Sequence, residues 1–562
     1  MNKFFLVIVL VLSGFLTYKE LIFKGYFPMH DDLQVMRIFE MSKCFADGQI
    51  PCRWVPDMGY EYGYPLFNYY PPFAYYIGTA IHSFGVGLFD SVKILFFLQF
   101  TISGVLMYFF ARRFWGSGGG FLSALFYMYA PYRAVDVYVR GAMAESWALA
   151  FAPGIFWMID KIITEKKWRD VFWLGFFYAG VLLSHNLMTL LFVPLTFLWI
   201  ILRLVQERAF WQIPKIVAGG LYGGALAAFF TVVVLLETKY VHVETLFMGY
   251  FNYLAHFVDI NQLFFSDFWG YGGSVWGPED SLSFSVGYLH WILVVFSFFT
   301  SIILLKQKQF KTAIIILFFF IVFWLSTFLM HYKAAPIWEM LTFLQNLQFP
   351  WRILSVTIFV ASFLAGSIFS LKPYVSTKIL RTFLVVAALG VIILNYQYFK
   401  PATRFYVDDN ERLSGELWRF AITSGIFDYL PKDAKFPPAA APSEQVEVLS
   451  GDVRVENYAS GSASVRFLTK SNQGARVRMA LYEFPTWDVK IDGKNTSHGP
   501  GGDLGRITFN IPPGDHSVSI KLIDTPVRTI TNLVSLAAWL TFVGFLIALF
   551  KKPKFLDKIH DW

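Results

Sequence analysis

The chain has 562 residues, of which 56% are hydrophobic, 20% aromatic and only 15% charged. That balance excludes a soluble domain, and repeated apolar runs of about 17–25 residues are what a bilayer requires of a spanning helix. The formal net charge of +8 is not a nucleic-acid footprint: the basic residues fall in short runs between apolar segments and act as topology signals.

The N-terminus, Met1-Asn2-Lys3 followed by an apolar run, has no small-x-small cleavage site and reads as an uncleaved first helix. Spans are expected at about 4–23, 92–110, 119–131, 142–160, 170–184, 187–202, 214–236, 287–305, 312–330, 352–371, 379–398 and 530–550. With Lys3 in the cytoplasm, Arg112-Arg113, Lys161 to Arg169, Arg203 to Lys215, Lys306 to Lys311, Lys372 to Arg381 and Lys551 to Lys554 all fall inside. This agrees with the positive-inside rule for about twelve spans in the plasma membrane, with both termini cytoplasmic. Residues 72–88 are apolar too, but a span there would invert every later loop, so an interfacial or re-entrant helix is expected. The domains read as a transmembrane part (1–399), a mainly β extracytoplasmic part (400–529) and a final span with a basic tail (530–562). In the β part, a Pro/Ala-rich linker (Phe436 to Pro442) precedes a switch to period-two alternation, from Val446/Val448 to Val518/Ile520/Leu522. Turns at Asp492-Gly493 and Pro512 to Asp515 complete a small antiparallel β-sandwich. Asn495-Thr496-Ser497 is an acceptor sequon, relevant only if the source glycosylates it.

Candidate chemistry begins just past the first apolar run, at His30-Asp31-Asp32. Ionisable groups near membrane depth are functional suspects. Residues Asp32 to Phe45 read as an amphipathic helix with Leu33, Met36, Met41 and Phe45 on one face and Gln34, Arg37 and Lys43 off it. The plain alternative is that Asp31 is an N-cap and Asp32 complements the helix dipole. Capping accounts for one carboxylate and not for the pair with its histidine. The only cysteines, Cys44 and Cys52, lie in this loop, either as a disulfide or as two partly buried thiols. The aromatic run from Trp54 to Pro72 includes Tyr64 and Tyr69, groove candidates on which a sugar could stack; interfacial anchoring alone would also explain it.

Arg140 and Glu145 open a later span, where they either neutralise each other or serve a phosphate (Arg140) and a substrate (Glu145). Ser184-His185-Asn186 forms a tight turn that could simply satisfy exposed helix ends. In Gln348-Phe349-Pro350-Trp351-Arg352, the Arg352 guanidinium suits phosphate and Trp351 is a headgroup-level ring; an interfacial anchor is the alternative. Gly116 to Gly120 lacks a strand and a lysine and is a turn, not a phosphate loop. No Cys/His spacing fits zinc, and no Gly-x-Ser-x-Gly elbow occurs.

His30-Asp31-Asp32 after a single span, the Tyr-Pro-rich loop from Gly63 to Pro72, Arg140-Gly141 to Glu145, Ser184-His185-Asn186 and Gln348 to Arg352 together resemble the GT-C superfamily of membrane glycosyltransferases. Within it, the chain is similar to the membrane proteins labelled "6-pyruvoyl-tetrahydropterin synthase-related", although no residue here suggests pterin chemistry. The resemblance covers nearly the whole chain, and motif order carries more of it than any single motif. It implies an α-helical polytopic GT-C-like fold and a hexosyl or pentosyl transfer from a polyprenyl-phosphate sugar to a glycan, lipid or protein acceptor outside the cell. It implies Asp31 or Asp32 as general base, and Arg140, Arg352 and His185 at the donor phosphate. It also implies His30, Glu145, Tyr64, Tyr69 and Trp351 along the groove. Some relatives hold a divalent metal, Mg or Mn, beside the acid; Asp31 and Asp32 would be its ligands. A flippase of lipid-linked saccharides and a non-catalytic glycan-binding assembly protein are the competing readings. The absence of a clear internal repeat and the position of the charges at span ends argue against the first.

Overall fold

The computed structural model describes residues 3–277 and 279–551. The chain is a multi-pass membrane protein: among the described residues, nine helices are long and apolar enough to cross a bilayer. Two expected spans, 92–110 and 119–131, lie in the 41-residue helix Leu88–Met128, broken by a non-helical Gly116. Its two halves fold back on each other, with the Met128 side chain packed where a Cβ of Gly104 would sit. Two further expected spans are the helices Lys3–Tyr18 and Trp168–Ser184, of 16 and 17 residues, short of the roughly 20 that a straight crossing takes. The expected interfacial stretch is Phe73–Ser83, an 11-residue helix too short to cross. The basic tail beyond Lys551 lies outside the described residues.

The long connections meet on one face of the bundle, the loop face, where Tyr26 bridges to Phe405, Val241 to Pro431 and Val258 to His331. On this face, nine strands form two antiparallel sheets: β1 (Val446–Gly451), β2 (Arg454–Gly461), β3 (Ser464–Ser471), β4 (Ala475–Tyr482), β5 (Trp487–Ile491), β6 (Lys494–Asn495), β7 (His498–Gly501), β8 (Arg506–Ile511) and β9 (Gly514–Leu522). The orders are β1-β4-β8-β7 and β2-β3-β9-β5-β6. Val465, Phe467, Val489, Ile491, Val518 and Ile520 are buried between them, which is the packing that period-two patterning serves. Asp492 and Gly493 both take positive φ (50° and 77°), the backbone of a two-residue hairpin turn with the right twist. Trp54 docks the sandwich, its ring 5.3 Å from Trp487 and 5.6 Å from Phe484. Residues 400–435, expected within the β part, hold only short helices such as Gly415–Thr423 and cover the first loop instead.

One buried knot ties three of these parts together. Arg528, at the start of the last span, donates to Glu237 at 2.6 and 2.9 Å and to Thr486 of the sandwich at 3.0 Å. Asn68 and Tyr69 of the first loop complete it, Asn68 on the Glu237 carboxylate (3.2 Å) and Tyr69 on its backbone carbonyl (2.8 Å). Breaking a buried pair strands the remaining charge, at about 3–5 kcal/mol. Glu237→Ala is expected to lower the thermal unfolding midpoint of the detergent-solubilised protein sharply, and the double variant Glu237→Leu/Arg528→Met to recover much of the loss. Equal midpoints for wild type and Glu237→Ala would contradict this role.

Candidate active site

The residues from Met29 to Asp32 are held by the segment that leads into the helix Met143–Glu165. His30 donates its N–H to Val139 O at 3.0 Å, and Asp31 its N–H to Arg140 O at 2.9 Å. Gly141 permits this approach: its φ is +64°, and a Cβ there would sit 2.3 Å from Met29 Sδ. The chain just before it winds as a π-helix, Val135–Val139, a rare form that often marks functional sites.

The first-loop helix runs Gln34–Ala46, with Leu33 as N-cap and no side-chain capping bond. Neither aspartate caps it. Asp31 Oδ2 instead accepts from Arg37 (2.7 Å), Gln34 (3.1 Å) and Tyr70 (3.3 Å). Gln34 and Arg37, expected to leave the buried face, are buried, with Asp31, Tyr75 and Gly141 O bonded to Gln34, and Asp31 and Tyr75 to Nη1 of Arg37. The Arg37 guanidinium also lies 4.0 Å from the Tyr70 ring centre. Asp32 Oδ2 pairs with Arg412 at 3.2 Å, while its Oδ1 is buried with no hydrogen bond among the described residues. Burial pushes the Asp32 carboxyl from 3.8 up to about 6; Asp31 adds to the rise and Arg412 opposes it. Cys44 and Cys52 are bonded, closing the loop that follows this helix.

The arginines form a second group. Fully buried Glu145 accepts from Arg140 at 2.9 Å, Tyr132 at 2.7 Å and Ser355 at 2.8 Å, with Arg352 Nε 3.6 Å away. Arg140 also binds Asp136 at 2.5 Å and stacks 4.7 Å from the Trp351 ring centre. The mutual neutralisation expected of Arg140 and Glu145 is therefore present, within a larger network. All the hydrogen bonds of the Arg140 guanidinium fall on Nη1, and those of Arg352 on Nη1 to Leu347 O and Gln348. Nη2 of each arginine has no hydrogen bond among the described residues. His185 Nδ1 accepts from the Leu187 and Met188 amides (3.1 and 3.4 Å), capping the helix Asn186–Glu207. That use of Nδ1 puts the ring proton on Nε2.

Both groups line one cavity of about 610 Å³ on the loop face. Its lining includes His30, Asp31 and Asp32 from the first loop, and Arg140, Glu145, His185, Trp351 and Arg352 from later segments. Tyr64 and Tyr69 are not on its walls. Tyr64 donates to Gly425 O (2.9 Å) and accepts from the Tyr429 amide (2.7 Å), while Tyr69 belongs to the Glu237 knot. Tyr70 is the loop tyrosine that reaches the cavity.

Several residues here went unread in the sequence. Asp136 carried a usable signal, an acid between Arg133 and Arg140 in the short stretch between two spans. Arg37 carried none, because helical periodicity assigned it to the polar face. Arg412 and Asp428 sit in residues 400–435, which were read as part of the β domain. Asp428 lines the cavity, and burial raises its carboxyl from 3.8 to about 7, with Arg37 opposing and Asp31 adding.

His30, Asp31 and Asp32 do not fit a divalent ion. Each carboxylate faces a guanidinium, His30 Nε2 is bonded to Tyr271 O at 2.9 Å, and no three acidic, His or Cys groups converge among the described residues.

No family model matches the chain. An uncharacterised protein of Lactococcus lactis subsp. cremoris is 22% identical over 329 residues, 56% of this chain and 52% of that one, so the chain spans about half the length of the curated relative it matches. Among solved structures, ArnT from Cupriavidus metallidurans bound to undecaprenyl phosphate is 14% identical, covering 69% of this chain and 64% of that one, with a TM-score of 0.36. The oligosaccharyltransferase of Archaeoglobus fulgidus in its apo form is 10% identical, covering 71% and 55%, with a TM-score of 0.33. Likeness at this level leaves the function to the residues of the cavity.

The raised Asp32 carboxyl gives a signed pH effect. The folded state holds its proton more tightly than the unfolded chain does, so this group withdraws stability as pH climbs from 3.8 to about 6. Thermal unfolding of wild type and Asp32→Asn across pH 4–7 is expected to show the wild type losing more stability over that window. Parallel curves would refute it.

Proposed function

We propose that the chain is a GT-C-type membrane glycosyltransferase, of the pterin-synthase-labelled membrane family that its motifs resemble. It moves a hexosyl or pentosyl group from a polyprenyl-phosphate sugar to an acceptor. The loop face is then extracytoplasmic and both termini cytoplasmic. The observation that carries the reading is one cavity lined both by a carboxylate pair and by arginines whose Nη2 groups have no hydrogen bond among the described residues.

Asp31 is the general base. Its side chain is 33% exposed against 14% for Asp32, and among the described residues its hydrogen bonds fall on Oδ2, leaving Oδ1 for an acceptor hydroxyl. A base needs a reachable, deprotonated oxygen. Asp32, with one oxygen on Arg412 and the other buried, holds the loop instead. Asp31 Oδ1 takes the hydroxyl proton while the acceptor oxygen attacks the anomeric carbon. The bond from that carbon to the phosphate oxygen breaks, the electron pair leaves with the polyprenyl phosphate, and in-line attack inverts the anomeric centre. Arg140 Nη2, Arg352 Nη2 and the His185 Nε2 proton meet the departing charge. Glu145 fixes both guanidinium groups in place, and the Trp351 ring orients Arg140.

The test uses the full chain in nanodiscs with undecaprenyl-phosphate mannose, glucose and arabinose. Asp31→Asn is expected to lower kcat at least ~100-fold with donor affinity unchanged, and Asp32→Asn to do so less severely. Arg352→Ala should weaken donor binding at least ~10-fold, most of it lost again with a phosphate-free lipid sugar. Full activity in Asp31→Asn/Asp32→Asn would overturn the base assignment, and unchanged donor affinity in Arg352→Ala would remove the phosphate site.

A further inference from the structure

Among the described residues, each acidic side chain on the cavity walls faces a guanidinium, with one exception. Asp31 faces Arg37, Asp32 faces Arg412, and Glu145 faces Arg140 and Arg352. Asp428 lines the same cavity, and its carboxylate has neither a hydrogen bond nor an ion pair among the described residues. The side chain is half-buried, so its oxygens are reached from the cavity and are held by no donor among the described residues, which leaves both open to a ligand.

The turn that carries it is tied in place. Asp428 donates its own N–H to Gly425 O at 3.0 Å, and Tyr64 ties down both ends of the turn through Gly425 O and the Tyr429 amide. The Tyr429 ring stacks on Tyr69, with centres 5.4 Å apart. Gly425 turns with φ +70°, and a Cβ there would lie 3.3 Å from Asp428 Oδ2, so the missing side chain leaves room at the carboxylate. Both tyrosines read as groove residues thus stand behind this strap.

We infer that Asp428 is an acceptor-recognition residue, which accepts hydrogen bonds from a pair of hydroxyls on a saccharide acceptor beside Asp31. The inference rests on the glycosyltransfer reading above and supplies its acceptor class. Three features favour hydroxyls at this end of the cavity. The carboxylate has two free oxygens for adjacent donors. Phe420 and Tyr429 on the same wall offer rings against which a pyranose can lie. Arg140 and Arg352, the donor-phosphate residues of that reading, pair with Glu145 and not with Asp428, so the donor headgroup leaves this carboxylate free. A carboxyl raised to about 7 by burial is also one that hydroxyl donors would return to its ionised state.

Kinetics of the full chain in nanodiscs, with whichever of the three undecaprenyl-phosphate sugars turns over, decide it. Methyl glycosides of glucose, mannose and galactose serve as saccharide acceptor probes, and ethanolamine and 1-octanol as acceptors lacking vicinal hydroxyls. Asp428→Ala is expected to raise the KM for the active methyl glycoside at least tenfold, with the donor KM within twofold of wild type. Asp428→Asn, whose amide still bonds hydroxyls, should raise it about threefold. Equal large losses in both variants, with ethanolamine as the preferred wild-type acceptor, would mean that the carboxylate meets a cation and overturn the hydroxyl assignment. Unchanged glycoside KM in both variants, or a shift confined to donor KM, would overturn the inference while transfer itself stands. No turnover by wild type with any of these donors would instead remove the glycosyltransfer reading, and this inference with it. Unfolding midpoints of both variants within a few degrees of wild type exclude a folding defect as the source of any loss.

Discussion

Two backbone hydrogen bonds, from His30 and Asp31 to the carbonyls of Val139 and Arg140, are what the rest of this site depends on. They join the loop after the first helix to the loop before the helix Met143–Glu165, and so set carboxylates and guanidinium groups around one cavity. Side-chain contacts alone would leave long, flexible arms to find each other. Backbone pairing fixes the Cα positions first, and Gly141 is the residue that lets the two strands of chain come close enough.

The bilayer explains why the ionisable groups gather there. Inside hydrocarbon every charge needs a partner and every backbone group an internal bond. The polar network of Asp136, Arg140, Glu145 and Arg352 meets that demand at the ends of apolar helices, where ionised groups can be both desolvated and paired. On the glycosyltransfer reading proposed above, donors fixed in advance and aimed at where charge develops do not have to reorganise during reaction. Pairing also divides the labour among the acids: Glu145 holds arginines, Asp32 holds Arg412, Asp31 keeps an oxygen toward the cavity, and Asp428 stands alone.

Much of the architecture was legible in apolar run length and alternation. The helices beginning near residues 143, 186, 213, 288, 310, 377 and 526 lie where the apolar runs put them, because burial in lipid leaves its mark in consecutive residues. The strands from Val446 to Leu522 were legible for the parallel reason, a face that alternates between core and solvent. Residues 400–435 were not. Their role is to cover another loop, and that leaves no period in the sequence. The same blindness misassigned Arg37 and Gln34: a helix face that meets buried polar partners looks, residue by residue, like one that meets water.

For the site, sequence by itself determined which polar, charged and aromatic residues stand at the ends of apolar runs: His30, Asp31, Asp32, Arg140, Glu145, His185, Trp351 and Arg352. A charge beside an apolar run is conspicuous without any knowledge of the fold. Only the tertiary structure decided that all eight line one cavity, that Tyr64 and Tyr69 stand behind its wall, and that Asp428 completes it from nearly four hundred residues away. Only it distinguished the two adjacent aspartates, by the partners each oxygen meets. The physical reason is that depth follows from local hydropathy, whereas a carboxylate's role follows from what faces it across space, and those neighbours come from distant parts of the chain.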